Sequence, residues 1–118
     1  MLTLRLMAAA FLVLLGAAAC SSPTMTDELI MDEFEYRPVD IRVPADTPDF
    51  ELTLTNVGSV PHDFTVEGLP EDVLVHLAIL EGGSAPYRLP ALPSGDYAVY
   101  CALEGHREEG MEATLRVG

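Results

Sequence analysis

Three side chains able to ligate a soft or borderline metal lie in the segment CALEGHREEGM: Cys101, His106 and Met111, each separated from the next by four residues. A fourth donor follows from strand parity. His62 opens the run HDFTVE, in which His62, Phe64 and Val66 share one face while Asp63, Thr65 and Glu67 share the other. The same alternation puts Tyr97, Val99 and Cys101 in phase, and Met111 in phase with Ala113, Leu115 and Val117. His62, Cys101 and Met111 are therefore expected to point inward at strand ends. A thiolate, two imidazoles and a weak thioether are the donor set that suits a single copper ion exchanging one electron. Zinc sites draw on Cys, His, Asp or Glu, which would leave Met111 unexplained.

The elements that must position these donors read as all-β. From about Leu29 the chain is a series of short runs rich in Val, Ile, Thr, Tyr and Phe, separated by Pro, Gly and Asp. Strands are expected near 29–36, 39–44, 50–57, 62–67, 73–80, 86–91, 95–101 and 112–117. Turns are expected over 44–48, 56–61, 68–70, 82–83 and 93–95. The 73–80 segment, led in by Pro70-Glu71-Asp72, also has the brackets of a short helix, but β-branched Val73, Val75 and Ile79 favour a strand. Seven to eight short strands in this length predict a two-sheet Greek-key β-sandwich. His76 has no ligand-spaced neighbour and is read as structural.

Residues 1–19 carry one early positive charge, Arg5, then the apolar run Leu6 to Leu15, then Gly16-Ala17-Ala18-Ala19, the pattern of a secretory signal peptide. Cys20 follows the expected cut. The position resembles the lipobox of bacterial lipoproteins, with Ala17 where such boxes usually have Leu, and implies an acylated Cys20 that tethers the protein to a membrane. An unmodified cysteine there would be an exposed reactive thiol in an exported protein. Residues 20–28 then read as a lipid-anchored flexible tether, and 29–118 as one domain. With Cys20 lipidated, Cys101 is the only thiol of that domain, so neither an internal disulfide nor a multi-cysteine zinc site can form. The chain contains no lysine and its net charge is −13; losing Arg5 makes it −14. Nucleic acid is excluded as a partner, because phosphate binding needs basic patches.

Taken together, these motifs resemble the cupredoxins of the plastocyanin and sulfocyanin-like class. The resemblance rests on the turn carrying Asn56, Gly58 and His62, and on the closing Cys101-x4-His106-x4-Met111 loop with glycine at 105 and 110. It spans nearly all of 29–118. Glu104 is a departure, standing where the family often has proline. The resemblance implies one type 1 copper ion on His62, Cys101, His106 and Met111, with Asn56 and Asp63 tying the ligand loops by hydrogen bonds. It implies an electron route through the edge of His106, flanked by Val60, Pro61, Ala102 and Leu103. The expected role is to carry single electrons between extracytoplasmic redox partners, such as a cytochrome or terminal oxidase with a basic docking surface. The expected place is outside the cytoplasm, on the cell membrane. Copper delivery for homeostasis or oxidase assembly is the alternative. No enzymatic activity is expected: multicopper oxidases and copper nitrite reductases need more than the three histidines present. A Cys-His hydrolase on Cys101 would lack an oxyanion-hole motif.

Overall fold

Alternating apolar and polar side chains on short segments oblige each strand to bury one face, and two sheets packed face to face satisfy all of them. The computed structural model describes Gly16 and residues 23–118. Cys20 and, apart from Gly16, the expected signal peptide lie outside the described residues. The described residues form nine strands and no helix: β1 (Glu28–Asp32), β2 (Glu35–Arg37), β3 (Asp40–Val43), β4 (Phe50–Asn56), β5 (His62–Glu67), β6 (His76–Ile79), β7 (Ser84–Leu89), β8 (Gly95–Tyr100) and β9 (Glu112–Val117). One sheet has the order β2-β1-β4-β7, the other β3-β9-β8-β5-β6. The pairs β1–β4 and β3–β9 are parallel and the others antiparallel. Parallel neighbours need crossover connections, and here the chain makes them by passing between sheets, as the expected Greek-key sandwich requires.

The inward faces supply the core. Leu29 and Met31 of β1, Leu52 and Leu54 of β4, Phe64 and Val66 of β5, Val99 of β8, and Leu115 and Val117 of β9 are all buried. Tyr36 of β2 is fully buried too, and its hydroxyl donates to the Asp63 carbonyl at 2.5 Å, stitching one sheet to the strand that begins at His62. A buried phenol needs such a partner.

Three of the strands read off the sequence differ from the structure by more than one residue at an end. The expected strand 29–36 is a hairpin, because the Asp32 carboxylate accepts the Glu33 amide at 2.9 Å and turns the chain. The expected strand 73–80 shortens to His76–Ile79, since residues after Pro70 first make a turn in which the Val73 amide donates to the Pro70 carbonyl at 2.9 Å. The expected strand 86–91 lies two residues earlier, at Ser84–Leu89, starting directly after Gly82-Gly83. Pro86 is tolerated there because β7 is an edge strand. Within the segment read as tether, Thr26 and Asp27 already engage the sheets: the Thr26 amide donates to the Arg42 carbonyl and the Thr53 amide to the Asp27 carbonyl, both at 2.8 Å.

Candidate metal centre

The antiparallel neighbours β5 and β8 bring the start of one beside the end of the other at a single edge of the sandwich. His62 is the first residue of β5, paired with Ile79 of β6, and Cys101 follows the last residue of β8. Both are buried, His62 at 0% and Cys101 at 1% exposure. The loop after Cys101 folds back through its own backbone. The His106 amide donates to the Leu103 carbonyl at 3.1 Å, the Met111 amide to the His106 carbonyl at 3.1 Å, and the Cys101 amide to the Met111 carbonyl at 3.2 Å. Gly105 has φ +82°, a left-handed conformation that a side chain would strain, and this turn delivers His106 to the site.

The result is a convergence of donors. His62 Nδ1 lies 3.3 Å from His106 Nδ1, which lies 3.3 Å from Cys101 Sγ, and the ligand atoms of the three residues all fall within 4.8 Å of one another. Met111 is fully buried at the base of the same loop, its backbone bonded to both Cys101 and His106.

Asn56 and Asp63, both buried, hold the two loops. Asn56 Nδ2 donates to the carbonyls of Val60 (2.8 Å) and Ile79 (3.0 Å), and its Oδ1 accepts the Gly58 amide (2.9 Å), so one side chain shapes the turn that leads to His62. Asp63 Oδ1 accepts the Ala102 amide at 2.8 Å and the Thr65 hydroxyl at 2.9 Å, while the Asp63 amide donates to Cys101 Sγ at 3.4 Å. Arg107 clamps the far side of the loop. Its guanidinium meets Glu67 at 2.7 and 3.2 Å and Glu112 at 2.6 Å, and lies over the Tyr100 ring, 4.2 Å from its centroid.

Burial dominates the electrostatics of the donors. It pushes His62 below the ordinary histidine range, with the neighbouring His106 charge adding to the effect, so His62 offers a neutral imidazole. Burial likewise pushes the Cys101 thiol up, against the amides of Asp63 and Leu103 that pull it down. A bound cation reverses the thiol's preference, because a coordinating thiol is deprotonated outright.

Several neighbours of the site have no signature in the sequence. Glu33, in the turn between β1 and β2, has its carboxylate on the amides of Ser59 (2.5 Å) and Val60 (3.1 Å) and 3.5 Å from His62 Nε2. The Ser59 amide, followed by the Val60 amide, holds the Glu33 carboxyl down to about 2. Phe34 sets its ring edgewise against His106, centroids 4.9 Å apart, and against His62 at 6.2 Å. His76 Nδ1 lies 2.7 Å from the Thr65 hydroxyl, extending the hydrogen bonds of Asp63 to the surface. These contacts depend on the β1–β2 hairpin and on β5–β6 pairing, which residue spacing does not encode.

The donor set fits one type 1 copper ion. A thiol sulfur and two imidazole nitrogens converge from two loops, and the buried Met111 is joined to Cys101 and His106 through its backbone.

No protein-family model matches the chain, and no curated protein does. Among solved structures it is similar to dithionite-reduced auracyanin from the photosynthetic bacterium Roseiflexus castenholzii, with a TM-score of 0.68 and 19% identity, covering 82% of this chain and 99% of that one. Auracyanin A, a "blue" copper protein from the green thermophilic photosynthetic bacterium Chloroflexus aurantiacus, gives a TM-score of 0.64 and 18% identity, covering 80% and 98%. A purple cupredoxin from Nitrosopumilus maritimus gives 0.54 and 19%, covering 77% and 98%. At these identities the likeness is one of fold, and the fold is the cupredoxin β-sandwich.

Proposed function

We propose that this cupredoxin-fold protein carries single electrons, with one type 1 copper ion held by His62, Cys101, His106 and Met111. The observation that carries the reading is the convergence of His62, Cys101 and His106 within 4.8 Å at one edge of the sandwich, on a fold shared with a "blue" copper protein. When bound, copper supplies a one-electron couple in which the surrounding residues need not rearrange. Asn56, Asp63 and Arg107 pin both ligand loops by hydrogen bonds, so the donors are already placed. Of the three converging donors only His106 has a partly exposed side chain; exposed Pro61 and Ala102 and half-buried Val60 and Leu103 stand beside the ligands in the chain. An edge of this kind suits contact with a redox partner. Copper delivery is disfavoured by the full burial of His62 and Met111 and near-full burial of Cys101, since cargo sites exchange through exposed donors. Visible and EPR spectra after addition of Cu(II) test the reading: an intense thiolate-to-copper charge-transfer band is expected, and a colourless product would overturn it.

The partner is proposed to be basic where it docks. Among the described residues, the arginines 37, 42, 88, 107 and 116 are all engaged by carboxylates, whereas Glu104, Glu108 and Glu109 on the ligand loop are exposed and take part in no ion pair. Charged surfaces raise association rates by roughly 10 to 10³, falling with ionic strength. Stopped-flow oxidation by a basic cytochrome should slow strongly between low and physiological salt while an uncharged small oxidant shows little change. Equal and flat profiles would remove the acidic surface from partner choice.

Export and anchoring complete the proposal. The mature protein is expected to carry fatty acid on Cys20, seen as added mass on its N-terminal peptide, and to accumulate as precursor when lipoprotein processing is blocked. A mature form with free Cys20 would refute the anchor.

A further inference from the structure

His62 Nε2 is buried without a hydrogen-bond partner, although an unpaired buried nitrogen is costly. The acceptor that faces it is Glu33 Oε1, 3.5 Å away. That carboxylate is held in place. It accepts the amides of Ser59 and Val60 at 2.5 and 3.1 Å and lies 3.4 Å from the Ser59 hydroxyl, so its position is set by the loop that leads into His62. The chain also makes room for it: a methyl group built on Gly58 would meet the Glu33 carboxyl carbon at 2.8 Å.

We propose that Glu33 is a positioning residue for His62, its pinned carboxylate holding the imidazole with the proton on Nε2 and the lone pair on Nδ1. The physical reason is the sign of the contact. A bare Nε2 would turn a lone pair toward an anion, whereas Nε2–H turns a dipole toward it, at a nitrogen that water does not reach. With the proton on Nε2, His62 Nδ1 accepts from His106 Nδ1–H at 3.3 Å in the metal-free protein, which is consistent with the His106 nitrogen also lying 3.3 Å from Cys101 Sγ. The same tautomer presents Nδ1 to a metal. Carboxylates behind metal-binding histidines fix tautomer and ring orientation, and losing them typically weakens binding 10- to 100-fold. The tautomer assignment stands on metal-free geometry; only its effect on affinity rests on the copper reading above.

Nitrogen-15 two-bond correlation spectra of the full metal-free domain at mildly alkaline pH read the tautomer directly, and Cu(II) titration reads affinity. In the wild type, His62 is expected entirely as the Nε2–H form. Glu33→Ala should give a tautomer mixture and weaken Cu(II) binding by about 10- to 100-fold. Gly58→Ala should do the same by displacing the carboxylate, without altering Glu33 or any donor; its backbone is not in the left-handed region, so alanine adds no strain there. Glu33→Gln keeps an acceptor oxygen and should restore the Nε2–H form and most of the affinity. A wild-type Nδ1–H tautomer would overturn the proposal, as would unchanged tautomers in both alanine variants even with weakened binding, which would make Glu33 a loop anchor only. A tautomer shift in a protein that stays colourless with Cu(II) would uphold the positioning role and sink the copper reading instead.

Discussion

Cys101→Ser abolishes the visible charge-transfer band expected with Cu(II) and leaves the sandwich folded. The thiolate is the donor from which such a band originates, and no other cysteine lies among the described residues. The replacement is small. Cys101 is buried beside the Asp63 amide at 3.4 Å and His106 Nδ1 at 3.3 Å, and a serine hydroxyl can bond to both. Burying a hydroxyl that is hydrogen-bonded costs little, so the destabilisation should stay at about 1 to 2 kcal/mol. Circular dichroism should change little. A band of wild-type intensity in this variant would assign the colour to other ligands and overturn the proposed site.

Asn56→Ala has the largest expected effect on stability. The amide side chain satisfies the carbonyls of Val60 and Ile79 and the amide of Gly58, all within the turn that leads to His62 and the strand that pairs with it. Alanine leaves these groups without that partner. An unsatisfied buried polar group costs about 1 to 3 kcal/mol, and here only the bond to Ile79 is fully buried while water can reach part of the rest. The net loss should be about 2 to 4 kcal/mol. For a domain of this size each kcal/mol shifts the midpoint by roughly 4 to 8 °C, so Tm should fall by about 8 to 32 °C. The metal-free protein is the one to melt, because bound metal would mask the change by mass action. A fall of under 3 °C would show that the turn is held by the Glu33 carboxylate from its other side, without need of Asn56.

The amino-acid sequence by itself determined the all-β class and the convergence of His62, Cys101 and His106. Strand parity has a period of two, so His62 with Phe64 and Val66, and Cys101 with Val99, are assigned an inward face by counting alone. Cys101, His106 and Met111 lie in one closed loop, where short spacing already limits how far apart they can be. The Asn56 carboxamide and the Asp63 carboxylate lie close to His62 in the chain, so the sequence also places them beside it.

Only the tertiary structure decided what stands behind the donors. Residues 29–36 have an apolar pattern compatible with one continuous strand, and nothing in the pattern marks the turn at Asp32 until the Glu33 amide is seen bonded to the Asp32 carboxylate. That turn aims Glu33 at the loop before His62 and lays Phe34 against His106. Likewise, whether Val73 begins β6 or closes a turn on Pro70 depends on where β5 stops pairing, and Val66 reaches the Val75 carbonyl just outside β6. Contacts between residues distant in the chain depend on how two sheets pack, and packing is settled by the fit of all inward side chains at once. Local spacing therefore names the candidate donors, whereas the β1–β2 hairpin, placed only by packing, sets the Glu33 carboxylate 3.5 Å from His62 Nε2.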